Sequence, residues 1–281
     1  MKPLFTLFVL FNFLNLKAQE SVLFKQKYLP EKTYKSSTKI STNFTMNIDG
    51  EKEAVEELGE AQNQFPMKIS SEIDIEITNK MGSKEDGKIP FIITYDKLQS
   101  KNVINGEETT APNPFENTQI KGYYTDGIVA HIDEIIGFQG DEKLKNMLIN
   151  MFENLSQNIK FPDYPLKIGE QFNQHIPMTV PVPEVGNFDL DMNYIYTLID
   201  IKNNFGYFDL EIQFTMNTQL KDKEMTMNGF GNGKIQFDMT NSMMSLMNSN
   251  INVKMDFEFS PEIKLNLVAD SQTEFISKVE K

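Results

Sequence analysis

Residues 141–161, DEKLKNMLINMFENLSQNIKF, form the one stretch of this chain with a sustained helical pattern. Its apolar residues recur at steps of three and four, which places them on one stripe of a helix with 3.6 residues per turn. That stripe consists of Leu144, Met147, Leu148, Met151, Phe152, Leu155 and Ile159. Asp141 is a suitable N-cap, and Pro162 ends the pattern. We therefore expect one long helix over 141–161, around which the rest of the chain folds.

Both flanks of this stretch alternate apolar and polar residues, which is typical of half-buried strands. The clearest example is MKISSEIDIEITNK at 67–80, where isoleucines alternate with serine and charged residues. Similar alternation covers 33–49, 205–218 and 251–259. Because one face of each strand is apolar, we expect one face of the sheet to be covered and the other to be wet.

Short turn sequences separate these strands, among them Asp86-Gly87, Asn105-Gly106 and Asn203-Asn204. Short connections favour antiparallel pairing. The sequence thus predicts a mainly β, α+β fold, in which a large curved antiparallel sheet or half-barrel packs on one long central helix. We expect a single domain over 19–281, with halves at 19–135 and 165–281 on either side of the helix.

Prolines and glycines inside two strand patterns carry positional information. Pro177, Pro181 and Pro183 each remove a backbone donor, so the segment around them is predicted to be an edge strand or an extended arm. Gly229, Gly231 and Gly233 alternate within a strand pattern and have no helix after them. They therefore favour close packing or bending of the sheet over a phosphate-binding loop.

The composition excludes several classes of function. The net charge is −13, which disfavours binding to a nucleic-acid backbone. The chain has no cysteine, so disulfides, thiolate metal sites and cysteine nucleophiles are impossible. All its basic side chains apart from the two histidines are lysines, and the missing arginines mildly disfavour a nucleotide site.

Met1–Ala18 has the pattern of a cleavable secretion signal. Lys2 supplies the positive start, the apolar run 4–14 is too short to span a bilayer comfortably, and Ala18 offers a cleavage point. An uncleaved anchor is the alternative. We expect a periplasmic or extracellular protein without a transmembrane segment after cleavage.

Candidate catalytic and metal-ligating residues are sparse. His131 and His175 are the two histidines, and nothing in the sequence brings them together. Asp189 and Asp191 share one face of a strand, where acid–base chemistry or cation binding competes with a simple solvated surface. Thioethers can hold Cu(I), but the 16 methionines favour core or cavity lining. We predict no enzyme, no metal site and no cofactor.

These features favour an exported envelope protein that binds a hydrophobic ligand or a partner segment on the concave apolar face of its sheet. The predicted ligand-lining residues are Met147, Met151, Phe152, Phe208, Phe214, Met216, Met225 and Met227. A Met- and Phe-lined void between helix and sheet is expected for this function. The alternative is a structural or adhesion module of the envelope, with a solid interior and an envelope protein as its partner.

Ile168-Gly169-Glu170, Phe172 and Gly229-Phe230-Gly231 lie in an arrangement that resembles an exported bacterial family of unknown function. Members of that family are usually lipoproteins, and this chain departs from them by lacking a cysteine. The resemblance implies no known activity, and no functional residue carries over from it. The expected architecture is also similar in shape to the half-barrel of periplasmic lipoprotein carriers.

Overall fold

Residues 21–109, 115–158, 161–182, 186–220 and 223–280 are described by a computed structural model, and most of them lie in strands. The strands are β1 (Ser21–Val22), β2 (Thr33–Gly50), β3 (Met67–Met81), β4 (Lys88–Ile104), β5 (Glu107–Thr109), β6 (Gln119–Thr125), β7 (Val129–Ile136), β8 (Leu166–Lys167), β9 (Gln171–Val182), β10 (Gly186–Lys202), β11 (Phe205–Leu220), β12 (Lys223–Asp238), β13 (Met243–Ser260) and β14 (Ile263–Glu280). The helices are α1 (Lys52–Glu56) and α2 (Glu142–Asn158), with a 3-10 helix at Gly59–Gln64.

Twelve of the strands form one open antiparallel sheet. Its order is β7-β6-β4-β3-β2-β14-β13-β12-β11-β10-β9, and β5 pairs with β4. The first and last long strands, β2 and β14, pair along their whole length at the centre. The two halves of the sequence therefore extend in opposite directions from this central pair. The prediction of a large antiparallel sheet is confirmed.

Two-residue turns with positive φ join several neighbouring strands. Asp86-Gly87, Asn105-Gly106, Asp126-Gly127 and Asn203-Asn204 all adopt positive φ at both positions. Such turns match the twist of the flanking strands and suit asparagine, aspartate and glycine. The hairpins predicted at Asp86-Gly87, Asn105-Gly106 and Asn203-Asn204 are confirmed, and Asp126-Gly127 belongs to a three-residue turn between β6 and β7.

The proline-bearing strand lies at an edge of the sheet, as predicted. β9 pairs with β10 alone, with Pro177 opposite Asp191 and Pro181 opposite Asn187. A proline in an edge strand costs no ladder hydrogen bond when its nitrogen faces outward. Pro183 lies outside the described residues.

The apolar face of the sheet is packed at one end, which we call the base and which contains the turns Asp86-Gly87 and Asn203-Asn204. The first core cluster there consists of Phe24, Leu166, Phe172, Leu198, Phe208, Leu210, Ile212, Ile235 and Phe237. Phe24 and Phe161 come from outside the sheet and pack on Phe208, with ring centroids 5.0 and 5.8 Å away. This end of the sheet is thus covered by aromatic rings from connecting segments.

A second core cluster covers the base beside β7. It consists of Tyr34, Met81, Ile89, Phe91, Ile93, Ile120, Tyr124, Ala130 and Ile135. Residues 23–32, which we call the N-terminal strap, run from Phe24 in the first cluster to Tyr28, whose ring stacks on Tyr124 at 4.4 Å. The backbone N–H of Tyr28 donates to the Gly127 carbonyl at 2.6 Å. The strap therefore joins the two clusters.

The predicted central role of the helix is wrong. A helix does form at Glu142–Asn158, but it contacts the edge strand β7 and, less extensively, the opposite edge strand β9. Ile149 and Phe152 pack against the second cluster, and Glu153 Oε1 accepts a hydrogen bond from the backbone N–H of Ile132 at 2.7 Å. α2 thus covers an edge strand, whose unpaired groups need such partners. The α+β architecture built on one long central helix is replaced by an open, nearly all-β sheet.

The helix also faces the sheet differently from the prediction. Ile149 lies outside the apolar stripe that the spacing predicts and Glu153 is charged, yet both face the sheet. The side chains of Leu144, Met151 and Leu155 lie outside the described ones. The expected signal at Met1–Ala18 is likewise outside the described residues, and the domain limits stay predictions.

Candidate functional site

A row of methionines crosses the apolar face at its distal end, the end opposite the base. Met46 is in register with Met67 on one side and with Leu267 on the other. Leu267 is followed by Met255 and then by Met227 on the next two strands. Directly paired residues on neighbouring strands share a face of the sheet, so these five side chains form one continuous row. All five are half-buried.

Two further apolar rows flank the methionines. Ile69, Phe44 and Val253 belong to the row on the base side, and Ile48, Leu265 and Phe257 belong to the row nearer the strand ends. These side chains are also half-buried. We call the three rows together the methionine patch: Phe44, Met46, Ile48, Met67, Ile69, Met227, Val253, Met255, Phe257, Leu265 and Leu267.

A row of hydroxyl residues borders the patch on its base side. Thr42 lies in register with Ser71 and Ser271. The hydroxyls of Thr42 and Ser271 hydrogen-bond to each other at 2.9 Å, which satisfies both groups on an otherwise apolar face. The patch is therefore separated from the packed base by small polar side chains.

Two of the predicted ligand-lining residues, Phe208 and Phe152, pack with the core clusters. Phe208 has 0% of its surface exposed and is surrounded by Phe24, Phe161 and Phe172. Phe152 packs from α2 against the second cluster. Phe208 is thus part of the packed core, and Phe152 is a half-buried side chain at the edge of the second cluster. Met147 is half-buried on α2.

Among the predicted residues with described side chains, Phe214 and Met227 reach the distal region. Met227 is part of the patch, and Phe214 lies at its border, paired in register with Gly229. The Phe214 ring occupies the space that a Cβ on Gly229 would need. The predicted role of this glycine in close packing is thus confirmed. The side chains of Met151, Met216 and Met225 lie outside the described ones, although Met216 is in register with Met227 along the backbone.

Met46, Met67 and Met255 of the methionine row are absent from the predicted ligand-lining residues. The alternation over 33–49 and 67–80 puts Met46 and Met67 on the apolar faces of their strands, but it does not show which strands are neighbours in the sheet. The pairing of β2 with β14 brings the first methionines to those of the last third of the chain. The alternation of apolar and polar residues indicates which face of the sheet a side chain lies on. No local feature of the sequence indicates the order of the strands.

The two histidines lie on opposite edge strands, His131 on β7 and His175 on β9. His131 stacks on Tyr123 with ring centroids 4.9 Å apart. The exposed His175 imidazole contacts the Asp191 carboxylate on β10. These arrangements do not join a nucleophile, a base and a bound substrate in a cleft. The Asp189 side chain lies outside the described ones.

Buried tyrosines near the strap form the main cluster of perturbed titratable groups. Burial raises the pKa of Tyr124 well above its ordinary value of 10.0, and the neighbouring Tyr28 raises it further. Burial likewise raises the pKa values of Tyr28 and Tyr34. The Tyr34 hydroxyl accepts a hydrogen bond from the Leu29 backbone at 2.7 Å, so this cluster fastens the strap.

Several methionines outside the patch pack against the core clusters. Met239, Met244 and Met247 pack against the first cluster, and Met243 packs against the second. Among the residues described, no group of three or more His, Cys, Asp or Glu side chains is arranged to hold a metal ion. No helix within those same ranges has both the length and the apolar character needed to cross a membrane.

Solved structures with which this chain can be compared are distant from it. No protein-family model and no curated protein matches the sequence. Lipovitellin, solved to study its lipid–protein interactions, is similar over 90% of this chain at 10% identity, with a TM-score of 0.46, and this chain spans 26% of that one.

Two further structures have lower TM-scores. Pseudomonas aeruginosa OccK5 (OpdH) is similar over 86% of this chain and 98% of its own, at 8% identity and a TM-score of 0.24. An outer membrane channel from Pseudomonas putida F1 is similar over 92% of this chain and 100% of its own, at 7% identity and a TM-score of 0.20. At TM-scores this low, the likenesses carry no inference about function.

Proposed function

We propose that this chain is an exported, non-enzymatic envelope protein that binds a hydrophobic ligand on the methionine patch. The half-buried row from Met67 through Met46 and Met255 to Met227 carries the proposal. Methionine side chains are flexible and polarizable, so one surface of this kind adapts to varied apolar shapes. Contiguous apolar surface that keeps contact with water marks a binding region more often than a packing surface.

The dimensions of the patch suit an elongated apolar ligand. It extends over five neighbouring strands and three rows, roughly 19 Å across the strands and roughly 13 Å along them at ordinary sheet spacings. The base at the other end is already filled by its own aromatic side chains. A hydrocarbon chain lying across the methionines would bury surface that the fold itself leaves partly wet.

The proposed export rests on the Met1–Ala18 sequence. A positive start, a short apolar run and a small residue at the cut are what a cleavable signal requires. We also propose kinship with the exported family of unknown function, on the motifs around Ile168–Glu170 and Gly229–Gly231. Osmotic-shock fractionation of cells making the chain with and without residues 2–18 tests export. Retention of both forms in the cytoplasm would contradict it.

The ligand proposal is tested by two measurements on the purified full chain. Solvent extraction followed by mass spectrometry looks for co-purified lipid, and N-phenyl-1-naphthylamine fluorescence reports an apolar site. The double variant Met46→Gln with Met255→Gln is expected to weaken dye binding at least about fivefold, because polar amides replace the two thioethers on either side of Leu267. Lys254→Gln, on the opposite face beside Met255, is the matched control and is expected to leave dye binding unchanged.

The competing function is a structural or adhesion module, and the solid packing of the base supports it. This function predicts no co-purified lipid and no saturable dye binding. A protein that binds neither lipid nor dye, or that binds dye equally well after the double substitution, would exclude ligand binding on the patch.

A further inference from the structure

The polar face of the sheet, opposite the apolar clusters, contains a groove of about 1000 Å³. It crosses five neighbouring strands, β13, β14, β2, β3 and β4, near their middles. None of the predicted ligand-lining methionines and phenylalanines borders it. The groove is therefore a separate feature from the methionine patch.

Two parallel rows of polar residues form the walls of the groove. In each row the members are in register from strand to strand, so they share the polar face. The first wall consists of Asn248, Glu274, Lys39, Asp74 and Gln99, and the second consists of Asn250, Gln272, Ser41, Glu72 and Lys101. All of these side chains except that of Asp74, which is half-buried, are exposed.

The floor of the groove is backbone. Its residues, among them Ile40, Ile73 and Ser249, lie one position away from both walls, so their side chains point to the apolar face. β13, β14, β2 and β3 have hydrogen-bonded neighbours on both sides. Because their backbone groups are already paired, recognition in the groove has to come from the wall side chains.

The wall side chains combine donors and acceptors with nearly balanced charge. Four of the ten are amides, and each amide both donates and accepts hydrogen bonds. Lys39 lies in register between Glu274 and Asp74. The Asp74 carboxylate also pairs with the Lys97 ammonium just outside the row, and Lys101 pairs with Glu108 at 3.0 Å.

From this set of donors and acceptors we infer that the groove binds a neutral oligosaccharide. Each sugar hydroxyl both donates and accepts a hydrogen bond, and each side-chain amide donates through its nitrogen and accepts through its oxygen. A row of hydroxyls can therefore pair with a row of amides and carboxylates. A neutral ligand also needs no excess charge on the protein. The rows run for roughly 19 Å across the strands, which suits a linear chain of several sugar units.

The same lining disfavours the other classes of extended ligand. An apolar chain would lie against amides and charged groups, and an anionic polymer would meet Glu72, Asp74 and Glu274. A peptide added as a further strand needs an unpaired sheet edge, which four of these five strands do not have. The lining contains no aromatic ring, so sugar stacking is absent and moderate affinity is expected.

The test is isothermal titration of the full chain with maltohexaose, cellohexaose and chitohexaose. We expect saturable binding of at least one of these neutral hexasaccharides. The double variant Asn250→Ala with Gln272→Ala is expected to weaken it about tenfold. Asn252→Ala removes the same side chain from the same face of β13, one register step outside the groove, and is expected to leave affinity within about twofold.

Matched thermal unfolding midpoints for the variants and the parent chain exclude loss of folding as the cause. Dye binding to the methionine patch is expected to be unaffected by either groove variant, so the two sites can fail independently. If none of the three hexasaccharides binds at millimolar concentration, or if Asn252→Ala weakens binding as much as the double variant, the groove is not an oligosaccharide site.

Discussion

The base and the distal end of the apolar face are built from the same strands but differ in how they are covered. β11 shows the contrast within one strand. Phe208, Leu210 and Ile212 are 0%, 2% and 4% exposed, whereas Phe214, the next residue of the same alternation, is half-buried. The alternation of apolar residues is equally regular over both parts. Burial therefore changes along a strand whose pattern does not.

The difference arises from connecting segments, not from the strands. Phe24 on the N-terminal strap and Phe161 after α2 supply the rings that cover Phe208. The strap is held at both clusters by aromatic contacts and backbone hydrogen bonds. Period-two alternation thus specifies which face is apolar, and the position of a covering segment specifies which part of that face becomes core.

The largest expected effect is a difference in the loss of unfolding free energy between a substitution at the base and one at the distal end. Phe208→Ala leaves a cavity among several rings and is expected to lower the free energy of unfolding by about 3–5 kcal/mol. Met255→Ala removes a half-buried side chain next to solvent, where little cavity forms, and is expected to cost about 1 kcal/mol. Urea unfolding of both variants measures the two values.

Comparable losses in the two variants would mean that the distal end is packed as tightly as the base. In that case the methionine patch would be core, and the proposed ligand site would be lost with it. If the dependence of unfolding free energy on urea concentration is the same in both variants and the parent chain, the substitutions have not changed the surface exposed on unfolding, and the two losses can be compared directly.

Glycines beneath aromatic rings give a second comparison of the two ends. A Cβ on Gly206 would meet the Phe24 ring in the base, and a Cβ on Gly229 would meet the Phe214 ring at the border of the patch. Gly206→Ala is expected to cost about 3 kcal/mol, because the strap ring has nowhere to move. Gly229→Ala is expected to cost about 1 kcal/mol, because half-buried Phe214 can turn toward solvent. Thermal unfolding measures both losses of stability. A larger loss for Gly229→Ala than for Gly206→Ala would mean that the border of the patch is packed more tightly than the base.

Local sequence features predicted the parts of the fold that depend on local chemistry. The turns at Asp86-Gly87 and Asn203-Asn204 follow from residues that tolerate positive φ. The edge position of β9 follows from Pro177 and Pro181, which cannot donate to a ladder. In each case the residue that indicates the feature in the sequence lies within a few residues of the backbone that it constrains.

Features that depend on distant pairing escaped prediction. We expect α2 at the centre from its apolar stripe, but in the structure Glu153 accepts a hydrogen bond from the backbone of the edge strand β7. The unpaired N–H group that needs this acceptor exists only once the sheet has formed. Phe208 and Phe214 were placed in one site because alternation cannot show where the strap lies. Met46 joined Met255 only through the pairing of β2 with β14. The expected export signal and the non-enzymatic character stay predictions.

High pH is expected to destabilise the base selectively. Tyr28, Tyr34 and Tyr124 have pKa values raised by burial, so between about pH 10 and these raised values the unfolded chain loses protons that the folded chain keeps. The unfolded state then binds fewer protons, and stability falls as pH rises. Each such tyrosine contributes up to about 1.4 kcal/mol per pH unit.

Tyr124→Phe removes one of these groups while keeping the ring. The variant is expected to unfold with a shallower loss of stability above pH 10 than the parent chain, in denaturation followed by circular dichroism. Substituting the exposed Tyr164 by Phe is the matched control and is expected to leave the slope unchanged. If stability falls equally steeply with pH in all three proteins, deprotonation of these buried tyrosines does not cause the loss of stability above pH 10.

The smallest expected effect concerns the polar face of the base, where Lys35 on β2 pairs with Glu280 on β14 at 2.8 Å. Both side chains are about half exposed, so water and salt screen the attraction. Glu280→Gln is therefore expected to change the free energy of unfolding by no more than about 0.5 kcal/mol, in urea unfolding at low and high salt. This pair joins the first and last long strands at the same end as Phe208, yet on the opposite face. A loss approaching that of Phe208→Ala would mean that the base is held from its polar face as well, and the strap would no longer explain why the two ends differ.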